Sequence, residues 1–106
     1  ARVEQRSRDV AVDVAALDAD FAVGGSYKYL RGGPGACYLY VHPRHLDGGL
    51  RTLDTGWFAK AAPFRYERPD PPRYAPGGDA WLESTPAVLP FYQSRAGQRL
   101  VLAIGV

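Results

Sequence analysis

A chain of 106 residues, 46% hydrophobic and 23% charged, is long enough for one small domain and too apolar to be disordered. Its formal net charge of +2 gives little ground for a nucleic-acid surface, which would need Lys and Arg clustered on one face. No apolar run approaches the roughly 20 residues that a membrane span requires, so no membrane partner is expected.

Residues 1–9, ARVEQRSRD, are polar and read as a frayed start or a helix end. They lack the apolar core of a signal peptide. Arg2, Arg6 and Arg8 gather there, as a solvated terminus allows. The chain contains no methionine, which fits either a segment of a longer protein or a processed start. VAVDV follows, a short β-branched run with the pattern of a strand ending at Asp13. The Asp13 side chain is placed to cap a turn of helix through VAALDA. DFAVGG reads as another short buried strand that stops at its glycines.

ACYLYVH, residues 36–42, is rich in aromatic and branched side chains and is expected to be a strand. It is apolar at nearly every position, so cover on both faces is expected, as in a layered α/β sheet. Cys37 then reads as a small core residue rather than a nucleophile. It is the single cysteine, which rules out an internal disulfide and suits a reducing, cytoplasmic setting. The segments between these strands are too short for crossover helices, so a mixed sheet is expected rather than a parallel one. The fold class is α/β, a partial mixed sheet with flanking helices, and residues 1–106 form a single segment.

Residues 43–80 carry most of the prolines and no sustained period, and they read as a loop excursion. His42 and His45 in HPRH could ligate metal on a helix, but no acidic or thiol partner is placed to complete a site, and a turn is the simpler reading. From STPAVLPFYQSRAGQRLVLAIGV a helix is expected, with Thr85 as N-cap and Pro86 as its first residue. Pro90 and Gly97 weaken it, and Gly105 is placed to stop it near Ile104.

The segment GGSYKYLRGGPG, residues 24–35, sets Lys28 between Tyr27 and Tyr29 with glycine pairs on either side. GGPG lacks the following helix and Lys-Ser/Thr of a phosphate loop and reads as a turn. One reading of the lysine is an exposed turn residue whose stem lies on a tyrosine ring. The other is a Schiff-base lysine. Its amine would have to be neutral to attack a carbonyl, and burial in an apolar pocket favours that form. The residues alone leave both readings open.

SYKYLRGGPGACYLYVH resembles the lysine segment of kynureninases and of class V aminotransferase-like enzymes, which are fold-type I pyridoxal-phosphate proteins. DADFAVGGSYKYL is similar to the approach to that lysine in the family. TGWFA, residues 55–59, matches its Gly-Trp-Phe element, and STPAVLP, residues 84–90, matches an element at the start of a helix. The resemblance runs over residues 10–106 and implies a segment of the large domain. It implies that Lys28 forms the imine with pyridoxal 5'-phosphate and that Tyr27 donates its hydroxyl to the phosphate. It implies that Trp57 and Thr85 contact phosphate or substrate, in the family typically in the neighbouring subunit's site, hence a homo-oligomer. The implied substrate is an amino acid and the implied chemistry is that of a hydrolase or an aminotransferase.

The family places an aspartate upstream, where it keeps the pyridine nitrogen protonated, and a histidine three residues later. Counted back without gaps, those positions fall on Arg2 and Gln5. This departure motivates a second expectation, a non-catalytic remnant acting as a binding or dimerisation module. A third is a single-strand binder using Tyr27, Lys28, Tyr29 and Arg31 as a stacking and charge platform, which the small net charge disfavours.

Overall fold

Strand β1 (Gln5–Ser7) and strand β2 (Val10–Val12) form an antiparallel pair in which Gln5 faces Val12 and Ser7 faces Val10. The computed structural model describes residues 5–7, 10–47 and 49–105. Gln5 to Ser7 are therefore strand, where the sequence suggested a frayed start or a helix end, because the β-branched VAV run offers them a backbone partner. Arg2, Arg8 and Asp9 lie outside the described residues.

Asp13 behaves as its type predicts. Its Oδ1 accepts from the backbone N–H groups of Ala15 and Ala16 at 3.0 and 3.2 Å, and its carbonyl accepts from Leu17 at 3.0 Å. The short side chain satisfies donors that a helical turn leaves orphaned.

Strand β3 (Phe21–Gly25) is hydrogen-bonded to strand β4 (Cys37–Val41). The Ser26 N–H donates to the Ala36 carbonyl at 2.9 Å and closes the loop between them. Among the described residues the strands pair two by two, β1 with β2 and β3 with β4, and no mixed sheet joins them. The β3–β4 pair also differs from the expected burial. Tyr38 and Tyr40 are half-buried, whereas Cys37 and Leu39 on the alternate face are exposed. Cys37 is thus no core residue. A uniformly apolar strand says that both faces can be buried, and here the described residues cover only one.

Helix α1 (Val88–Ile104) runs 17 residues and ends as expected. Gly105 adopts φ 78°, and its N–H donates to the Val101 carbonyl at 3.1 Å. Its start is not where Thr85 and Pro86 would put it. The cap position is Ala87, without a side-chain cap bond. Pro90 explains the shift. A helix beginning at Pro86 would need an N–H from residue 90, which proline lacks. Beginning at Val88 puts Pro90 in the first turn, where N–H groups have no intrahelical acceptor anyway. Pro86 in turn holds Thr85 out of the helical region.

The chain divides into two compact units, residues 1–40 with 87–106, and residues 41–86. The first has a core of small side chains, with Val14, Ala36 and Val101 buried beside Ser26 and Ser94. The second is built on 3-10 turns at Pro43–His45, Trp57–Ala59, Pro63–Arg65 and Gly77–Trp81. Two extended stretches clamp it. Ala61 N–H donates to Arg73, and Ala75 N–H to Ala59, each at 2.9 Å, around a Lys60–Tyr74 bridge. Its core is Ala59 and Ala80. His42 serves the first of the turns, its Nδ1 accepting from the Arg44 N–H at 3.1 Å.

Candidate functional site

The lysine sits in a bend that three backbone bonds define. After the Ser26–Ala36 closure, the Arg31 N–H donates to the Lys28 carbonyl at 3.1 Å, making a tight turn of residues 28–31. The Gly32 N–H then donates back to the Ser26 carbonyl at 2.7 Å. Tightening the turn this far drives Arg31 to φ 51°, a left-handed conformation that non-glycine residues adopt at some cost.

The bend rests on α1 through small residues. A Cβ on Gly97 would run into the Arg31 carbonyl, and one on Gly32 would meet Ser26 and Ser94. Glycine at 97 is what lets the loop backbone touch the helix. Ser94 is 1% exposed, donates to the Phe91 carbonyl at 2.8 Å and accepts from the Gln98 amide at 3.0 Å. Ser26 is 5% exposed, and its buried Oγ has no hydrogen-bond partner among the described residues.

Lys28 itself is exposed, with Nζ 5.5 Å from the centre of the Tyr27 ring. Among the described residues Lys28 is thus not buried in an apolar pocket, and the Tyr27 ring lies beside its amine. The lysine does face space. An open cavity of about 910 Å³ is lined by Tyr27, Lys28, Tyr29 and Arg31 from the bend and by Leu100 and Ile104 from α1. Among the described residues no acidic side chain lines it.

Trp57 and Thr85 belong to the second unit. Trp57 packs with Phe58, Phe64 and Tyr66 at ring separations of 5.4, 5.6 and 5.8 Å. Its Nε1–H donates to the Pro63 carbonyl at 2.6 Å, and a cavity of about 310 Å³ opens beside it. Thr85 is exposed. The two are drawn near each other by Gly56, whose missing Cβ leaves room for the Glu83 carbonyl. Gly56 precedes Trp57 directly, and Glu83 precedes Thr85 by two residues.

Comparison with known proteins shows what this segment is similar to. Over 80 residues the chain is 48% identical to a kynureninase of Deinococcus radiodurans, covering 74% of this chain and 19% of that protein. The chain is kynureninase-like. A kynureninase of Salinispora tropica is 33% identical over 90 residues, covering 84% of the chain and 21% of the relative. One of Pseudomonas fluorescens is 41% identical over 68 residues, covering 63% and 15%. No family model matches. This kynureninase-like chain therefore spans about a fifth of the length of the relatives it matches.

Pyridoxal phosphate is the cofactor that the resemblance to kynureninases implies. The residues present fit the reactive and anionic parts of that cofactor. The cavity offers an amine, two phenol hydroxyls and a guanidinium, and among the described residues no carboxylate to repel a phosphate. Of the positions where the family carries its pyridine-nitrogen aspartate and its histidine, Arg2 is outside the described residues and Gln5 opens β1. Sequence reasoning missed Ser26, Ser94 and Gly97 as the seat of the lysine bend. A helix glycine opposite a buried serine one turn away was the available sign.

Proposed function

We propose that the chain is the lysine-bearing segment of a kynureninase-like hydrolase, in which Lys28 anchors pyridoxal phosphate. The whole enzyme would cleave the side chain of an amino acid between Cβ and Cγ with water. The observation that carries this reading is Lys28 at a cavity lined by no acidic side chain among the described residues, in a chain 48% identical to a kynureninase over 80 residues. When bound, pyridoxal phosphate supplies an electron sink for the charge that develops on the substrate.

The chain's own residues have simpler duties. The Tyr27 hydroxyl donates to the phosphate. The Tyr29 ring and the α1 side chains Leu100 and Ile104 give the apolar wall on which an aromatic ring would lie. The Lys28 amine would hold the proton taken from the substrate Cα. Trp57 and Thr85 serve the site of a second subunit in a homodimer. The shared position of these two in one unit, joined through Gly56 and Glu83, supports a common role.

The test is covalent trapping. The chain is incubated with pyridoxal phosphate, reduced with borohydride and mapped by peptide mass. The sequence contains only two lysines, Lys28 and Lys60, so each is the control for the other. Selective label on Lys28 is expected, and equal label on both overturns the reading.

A second reading has its own observation. Val23, Leu39, Leu89 and Leu102 are exposed apolar side chains on β3, β4 and α1. They fit a remnant that works by association rather than catalysis, and that reading stands if Lys28 is not labelled in preference.

A further inference from the structure

The Lys28 cavity has a second cation that the family resemblance does not assign. Arg31 lines the same space, three residues on and across the tight turn from the lysine. A lysine committed to the cofactor's aldehyde carbon cannot also neutralise the phosphate at the other end of the molecule. Among the described residues lining the cavity, Arg31 is then the cation that remains. Its planar fork suits phosphate oxygens, which it can hold in pairs. We propose that Arg31 is the phosphate-binding residue of the Lys28 cavity, acting beside the Tyr27 hydroxyl on the dianionic end of pyridoxal phosphate.

Two features of the bend agree with this assignment. The turn is closed by the Arg31 N–H on the Lys28 carbonyl, and Arg31 is held at φ 51° with its carbonyl against Gly97. The backbone of residue 31 is thereby fixed relative to the lysine, so the guanidinium swings from a set anchor. Asparagine or glycine would meet the same backbone demand at less cost, and neither carries a positive charge. A competing role for the cation is complementing the negative end of α1, whose last turn lines the same cavity. That role stabilises the fold and does not discriminate among ligands.

The proposal rests on Lys28 being the cofactor lysine, and the experiment separates the two. The 106-residue chain and its Arg31→Gln variant are each treated with pyridoxal phosphate and, separately, with pyridoxal, then reduced with borohydride and mapped. Pyridoxal carries the aldehyde without the phosphate. In the parent chain Lys28 should take more label from pyridoxal phosphate than from pyridoxal. In Arg31→Gln that preference should fall about fivefold, as for one charge-assisted contact at an open surface, while labelling by pyridoxal is unchanged. A preference that survives the substitution overturns the proposal. So does equal loss of label from both aldehydes, which is what a purely structural Arg31 would give. If neither aldehyde selects Lys28 over Lys60, the cofactor reading falls first. Phenylglyoxal modification of Arg31 in a Lys28→Met chain then decides the rest. Protection by inorganic phosphate keeps Arg31 as an oxyanion site, and absence of protection removes it.

Discussion

Arg31 and Ser26 are each placed at a cost, and the costs can be measured. Arg31 holds φ 51° although arginine has no particular tolerance for that region. Arg31→Asn should therefore stabilise the chain by about 1 kcal/mol in urea unfolding, because asparagine visits the left-handed region more readily. A loss of stability would mean that the guanidinium does more for α1 than for a ligand. Ser26 buries an Oγ that has no partner among the described residues. Ser26→Ala removes an unpaired hydroxyl and should leave stability unchanged or raise it by up to about 1 kcal/mol. A drop of that size would show instead that the hydroxyl is engaged. Some residues were legible in the sequence and some were not, for a definite reason. Asp13 caps its turn with its own neighbours, within three residues, and local chemistry suffices to see it. Whether Lys28 or Cys37 is covered depends on chain far away in sequence, and nothing in SYKYL or CYLYV states it.

The elements repeat that division. The end of α1 was readable from Gly105 alone, since a left-handed cap is a local event. Its start was not, because Thr85 and Pro86 form a good cap signal that Pro90 overrules from the next turn. Gly97 is the sharper case. Read as a helix weakness, it turns out to be the contact point of the lysine bend. Replacing glycine by alanine inside a helix ordinarily gains about 1 kcal/mol. Gly97→Ala should do the opposite and cost about 1–3 kcal/mol, because the new methyl would strike the Arg31 carbonyl and push the bend off the helix. Thermal unfolding of Gly97→Ala beside Ala96→Gly, which carries only the helix-propensity change, reads the difference. In the second unit, Trp57→Phe keeps the ring cluster but loses the indole donor. The Pro63 carbonyl then loses its partner, and about 1 kcal/mol of stability should go with it. Unchanged stability would mean that ring packing alone holds Trp57 in place.

At the scale of the whole molecule, the resemblance was readable from four ordered motifs, whereas the layered mixed sheet expected from the apolar strand and the short connections is not formed among the described residues. The chain spans about a fifth of the length of its relatives, and the described residues leave faces of the strands and helix without cover. What remains is apolar and open. Val23 is 80% exposed on β3, and Leu89 and Leu102 are 81% and 79% exposed on α1. Exposed apolar surface in contiguous patches drives association, and the unpaired edges of a two-stranded sheet add to it. The isolated 106-residue chain should therefore self-associate, with a sedimentation mass that rises with concentration. Val23→Lys with Leu102→Glu should shift that rise to higher concentration without touching any residue of the Lys28 cavity. Trapping of pyridoxal phosphate on the same variant then separates the two functional readings. If Lys28 keeps its selective label in the dissociated chain, the cavity is a property of one copy. If the label disappears with association, the second copy supplies part of the site, as a homodimeric enzyme with Trp57 and Thr85 reaching across would require.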